Sequence, residues 1–87
     1  MVSKTITITN VEGLHARSAT YFIQRANTYK SSLWIQLGNK KANGKSLLGV
    51  LSMGIDKDDV ITITADGEDE EQAIEGLASL ILSGFAG

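Results

Sequence analysis

The 87-residue chain contains no cysteine and a single histidine, His15. A disulfide frame, thiolate chemistry and a zinc site built from cysteine and histidine are therefore all excluded. Proline is missing too, so no prolyl isomerisation slows folding. The N-terminal Met1-Val2-Ser3-Lys4-Thr5-Ile6-Thr7 lacks the continuous apolar stretch of a signal peptide, and no segment approaches the ~20 apolar residues of a membrane span. A cytoplasmic protein is expected, and the absence of cysteine suits a reducing compartment. The net charge of -2 gives no reason to expect nucleic acid or an anionic membrane as partner. What is present, 43% hydrophobic and 21% charged residues, is the composition of an ordinary soluble globule. The length fits one domain over residues 1–87, which on folding buries about 60 to 65% of the unfolded chain's surface.

Residues Val2 to Asn10 alternate, with Ile6 and Ile8 on one side and Thr5, Thr7 and Thr9 on the other, the period of a half-buried strand. Beyond Gly13 the period changes. Ala16, Ala19, Phe22, Ile23 and Ala26 recur at spacings of three and four, predicting a helix that turns Arg17, Ser18, Tyr21 and Gln24 outward. Leu33, Ile35 and Leu37 share one face of a second strand, and Gly38-Asn39 offers a two-residue hairpin turn into a short lysine-bearing edge strand, Lys40 to Asn43. Trp34 falls on the opposite face, as a partly exposed packing residue. Ser46 then caps a short helix over Leu47 to Met53, ended by Gly54. Val60 to Ala65 alternate as a fourth strand. A last helix follows Asp69, whose spacing to Gln72 is that of a capping box, with Ala73, Ile74, Leu77, Ala78, Leu80 and Ile81 as its apolar face. The tail after Ser83 is expected to fray. The order βαββαβα predicts an α+β fold in two layers, a four-stranded antiparallel sheet with three helices on one face.

Several tempting motifs carry no chemistry. Gly38 to Ser46 resembles a phosphate-binding P-loop but places five residues between its glycines instead of four, and the helix after it is short. Asp56, Asp58 and Asp59 begin like a calcium loop, which would then need glycine at Ile61 and glutamate at Gly67, so a solvated acidic loop is expected. The acidic run Asp66 to Glu71 reads as helix capping and dipole matching. No metal or other cofactor is expected.

Gly13-Leu14-His15-Ala16-Arg17-Ser18-Ala19 is different, because it puts the only histidine where a strand ends and a helix begins. The first N–H groups of a helix have no partner within it, and Arg17 adds a permanent positive charge, so the stretch can form a small anion pocket. The same positive field would disfavour the imidazolium and leave the ring neutral and nucleophilic near pH 7. The plainer alternative is a surface or capping histidine.

Two separated motifs decide between these. Gly13-Leu14-His15-Ala16-Arg17 is similar to the phosphorylation site of the histidine-containing phosphocarrier (HPr) family of the bacterial sugar phosphotransferase system. The segment from Asn43 to Ile55, with Gly44-Lys45-Ser46-Leu47-Leu48-Gly49, resembles the regulatory-serine segment of its Gram-positive and related members. Length and element order agree as well, so the resemblance covers essentially the whole chain.

The resemblance implies that His15 takes a phosphoryl group on Nδ1 from the phosphoenolpyruvate-dependent enzyme I and passes it to sugar-specific IIA domains. Such a protein is a stoichiometric carrier and not an enzyme. The Ala16, Arg17 and Ser18 region would receive the phosphoryl oxygens, through N–H groups and the Arg17 guanidinium. Thr20, Tyr21, Gln24, Leu47, Leu48 and Leu51 would form the surface on which partners dock. By the same resemblance Ser46 is a regulatory phosphorylation site for a dedicated kinase, and its phosphoserine form can meet a transcriptional regulator. A monomer is expected. Relatives usually carry proline where this chain has Ser18, which either holds the phosphate more tightly or loosens the helix start. That departure keeps open a second reading, a regulatory HPr-like paralogue acting through phospho-Ser46 with little or no transfer through His15.

Overall fold

The computed structural model describes residues 1–85. Seven elements follow one another: β1 (Val2–Thr7), α1 (Ala16–Ala26), β2 (Ser32–Leu37), β3 (Lys40–Asn43), α2 (Leu47–Ser52), β4 (Val60–Asp66) and α3 (Glu70–Leu82). The strands form one antiparallel sheet in the order β1-β4-β2-β3. Alternation decides which face is covered. Ile6, Leu33, Ile35, Ile61, Ile63 and Ala65 are buried against the helical layer, whereas Thr5, Thr7 and Gln36 on the other face are exposed. On that open face the hydroxyls of Ser3 and Thr64 pair at 2.9 Å, and those of Thr5 and Thr62 at 3.2 Å.

The core is aliphatic, with Phe22, Leu77 and Ile81 from the helices meeting the sheet isoleucines. Each such side chain contributes about 1.5–3 kcal/mol by leaving water. The inward face of α3 is Ala73, Ile74, Leu77, Ala78, Leu80 and Ile81, as its periodicity requires. Gly38, at φ +58°, closes the β2–β3 hairpin with Leu37 opposite Lys40.

Four expectations need correction. β1 ends at Thr7 instead of Asn10, because Ile8 exchanges backbone hydrogen bonds with Asp59 and Asp58, outside the β1–β4 ladder, at 2.8 Å each. On α1, Ala16 is exposed and Ser18 is buried, the reverse of the expected phase. Ala16 has φ +42°, which takes it off the helical period that begins after it. Asp69 makes no capping box. Its carboxylate accepts from the Lys30 N–H at 2.7 Å, the Ser31 N–H at 2.9 Å and the Ser31 hydroxyl at 2.5 Å, tying the start of α3 to the lead into β2. Finally, the chain after Ser83 does not fray at once. Gly84 donates to Ile81 O and Phe85 to Leu80 O, and Phe85 is buried. The rest of that tail lies outside the described residues.

Candidate functional site

Gly13 makes the site geometrically possible. With φ +65°, its Cα faces the Ile55–Asp56 backbone so closely that a Cβ would collide with Ile55 O. The Leu14 N–H donates to that same oxygen at 2.9 Å, and Leu14 and Ile55 are fully buried beneath. The loop ahead of α1 is thus clamped to the segment ahead of β4. His15 is the N-cap of α1, extended at φ -128° and ψ 149°, with a side chain 46% exposed. Its neighbour Ala16 holds a left-handed conformation that costs a residue with a Cβ roughly 1–2 kcal/mol.

The ring does not face the arginine. His15 Nε2 lies 2.9 Å from Asp56 Oδ1, so the field the imidazole meets comes from a carboxylate. Arg17 instead turns along the helix: its Nε donates to the Tyr21 hydroxyl at 3.2 Å and its guanidinium stands 5.8 Å above the Tyr21 ring. Tyr21 raises the arginine above its already high ordinary value, keeping it charged. The charge expected at His15 was that of Arg17, but the one in direct contact with the ring is the Asp56 carboxylate. Asp56, assigned to a solvated loop, is brought to the site by the clamp at Gly13. No spacing along the chain could reveal a contact across 41 positions.

Ser18 is also not where the sequence put it. Its hydroxyl donates to Gly13 O at 2.6 Å and accepts from the His15 N–H at 3.2 Å, while its own N–H donates to His15 O at 3.1 Å. Both polar groups are spent within the loop, leaving the Ala16 and Arg17 amides as the first-turn donors without an intrahelical partner. Serine stiffens the start of α1 through hydrogen bonds, where proline would do so through its ring. The three-residue spacing from the N-cap was the available signal, since a polar N3 side chain commonly reaches back to the N-cap N–H.

The other residues singled out lie on α1 and α2, which pack side by side. Thr20 and Gln24 are exposed, and Tyr21 is half-buried against the core. Leu48 is 80% exposed and Leu47 is 40% exposed, whereas Leu51 is packed against the core. Ser46 is the N-cap of α2 and accepts from the Gly49 N–H at 3.0 Å. Beside Arg17 an open cleft of about 530 Å³ runs between Asn10, Glu12, Tyr21 and Phe85. No helix among the described residues is long and apolar enough to cross a membrane.

An open-faced α+β sandwich with a half-exposed histidine at the N-cap of its first helix defines a class of small proteins that present one nucleophilic imidazole at the surface. The family model described as the PTS HPr component phosphorylation site matches residues 2–83. The phosphocarrier protein HPr of Neisseria meningitidis is 38% identical over all of this chain and 97% of its own. Among solved structures, HPr from Thermoanaerobacter tengcongensis superposes with a TM-score of 0.97 at 44% identity, covering 100% of this chain and 98% of that one. The Bacillus subtilis catabolite repression protein Crh, solved as a domain-swapped dimer, is similar at 33% identity and a TM-score of 0.77 over the whole of both chains. The chain belongs to the HPr family, the phosphocarrier proteins of the phosphotransferase system.

Proposed function

We propose that His15 is the phosphoryl acceptor, loaded by enzyme I and unloaded by sugar-specific IIA domains. The observation that carries this reading is the half-exposed ring at the N-cap with Nε2 engaged by Asp56. With the proton on Nε2, the lone pair sits on Nδ1. That lone pair forms the N–P bond while the donor's bond to phosphorus breaks and its electrons return to the donor. The Ala16 and Arg17 amides meet the incoming oxygens, and the Arg17 side chain swings from Tyr21 to add its charge. Helix-end effects of ~0.3–2 kcal/mol position the group without trapping it, which suits a carrier that must release its load. Transfer onward reverses the same bond changes. The Nε2 proton makes the imidazole a better leaving group.

Thr20, Tyr21, Gln24, Leu47, Leu48 and Leu51 form the docking surface in this reading. The exposed Leu47 and Leu48 beside a polar site support it, since apolar side chains grouped near a functional residue commonly meet a partner. Ser46 is the regulatory site, phosphorylated by a dedicated kinase. In this reading the protein works in the cytoplasm as a monomer. The likeness to Crh favours a second reading, in which phospho-Ser46 binds a regulator or enzyme and His15 carries little traffic. Intact mass after incubation with phosphoenolpyruvate and enzyme I separates the two. The carrier reading requires an acid-labile gain of one phosphoryl group that is lost in His15→Ala; no gain with the cognate enzyme refutes it.

A further inference from the structure

The geometry points to Asp56 as a positioning residue for phosphoryl transfer, holding His15 through Nε2 so that Nδ1 is the nitrogen presented to the donor. The inference rests on His15 being the acceptor. Asp56 is held from below rather than by its own side chain. Ile55 is fully buried, the Asp56 N–H donates to the Asp59 carboxylate at 2.8 Å, and the Asp59 N–H returns to Asp56 O at 3.1 Å. Asp58 completes the tight turn at φ +74° and donates its N–H to Ile8 O. The carboxylate stands on this closed turn, 72% exposed. Among the described residues its one ion-pair partner is His15. It is thus spared any competing structural contact.

The other charged groups of the loops that meet here are engaged elsewhere. Arg17 from α1 is turned to Tyr21, Glu12 from the preceding loop acts on Arg17, and Asp59 is occupied with the Asp56 amide. Asp56 is the charge in contact with the imidazole. A carboxylate accepting from Nε2–H selects the tautomer with its lone pair on Nδ1, limits ring rotation and offsets the positive charge of the ring once the phosphoryl group is attached. It keeps the same proton on Nε2 through loading and unloading, so no proton need be exchanged with a partner.

The test compares wild type, Asp56→Ala and Asp56→Asn, because the asparagine keeps an acceptor oxygen and loses only the charge. Ring-nitrogen shifts of His15 in the unphosphorylated, 15N-labelled proteins, read at a pH where the ring is neutral, report the tautomer. Wild type and Asp56→Asn should show the Nε2–H form, and Asp56→Ala a measurable share of Nδ1–H. The rate of phosphorylation by enzyme I should fall about two- to fivefold in Asp56→Ala, the effect of an exposed charge pair, with partial recovery in Asp56→Asn. Unchanged ring shifts in Asp56→Ala, or an unchanged rate, overturn the proposal. A wild-type protein that is not phosphorylated at all would instead strike the acceptor reading, on which the ring shifts do not depend.

Discussion

Ser18→Ala removes one oxygen atom from a residue only 5% exposed, and its cost can be worked from what that oxygen touches. The hydroxyl donates to Gly13 O and accepts from the His15 N–H. Gly13 O keeps a second donor, the Asn10 side-chain amide at 2.7 Å, so its loss is partial. The His15 N–H keeps none of equal geometry. One full and one partial hydrogen bond, at ~0.5–1.5 kcal/mol net each, place the destabilisation at about 1–2 kcal/mol. For a domain of this size that lowers Tm by roughly 5–15 °C. Thermal unfolding by circular dichroism measures it directly, and hydrogen exchange at the His15 amide should accelerate relative to the core. Ser18→Pro provides a comparison. It also removes the N–H that donates to His15 O, but its fixed φ restricts the unfolded chain, a gain of ~0.4–1 kcal/mol where the geometry is tolerated. That gain roughly offsets the lost N–H bond at ~0.5–1.5 kcal/mol, so Ser18→Pro should melt close to Ser18→Ala. A Tm for Ser18→Ala within about 2 °C of wild type would refute the view that this hydroxyl holds the site loop together.

Asp69 predicts a specific acid sensitivity. The Ser31 hydroxyl, aided by the Lys30 N–H, pushes its carboxyl from 3.8 down to about 2. A depressed folded value means that its contribution is fully present above the unfolded value and is lost as pH falls from about 4 to about 2. Asp69→Ala should therefore melt below wild type at pH 7, with the gap closing at pH 2; an equal gap at both would count against the assignment. At Ser46, aspartate is as good an N-cap as serine, so Ser46→Asp should leave Tm unchanged. If the docking surface is as proposed, the added charge repels an acidic partner, and phosphorylation of His15 by enzyme I slows at low salt. Equal initial rates would refute the repulsion.

How much of this was legible follows from which interactions are local. Alternation in β1, β2 and β4, the helical period of α3, the Gly38-Asn39 turn and the Ser46 cap all depend on residues a few positions apart, so their spacing carries the information. The site motif was legible too, through likeness to a family whose histidine and arginine stand in the same short stretch. Its electrostatics were not. A sequence puts Arg17 two positions from His15 and Asp56 far away, yet folding brings Asp56 into contact with the ring, because Gly13 lets the two backbones touch, while the guanidinium engages Tyr21. Asp69 misled in the same manner, since the capping spacing was present but the Ser31 and Lys30 donors competed for its carboxylate. Sequence alone determined the elements, their order, the buried faces of the sheet and of α3, and the family. Tertiary structure decided which charge meets the imidazole, where the Ser18 hydroxyl points and whether Phe85 packs, because these depend on side chains that meet only after the sheet and helices have closed on one another.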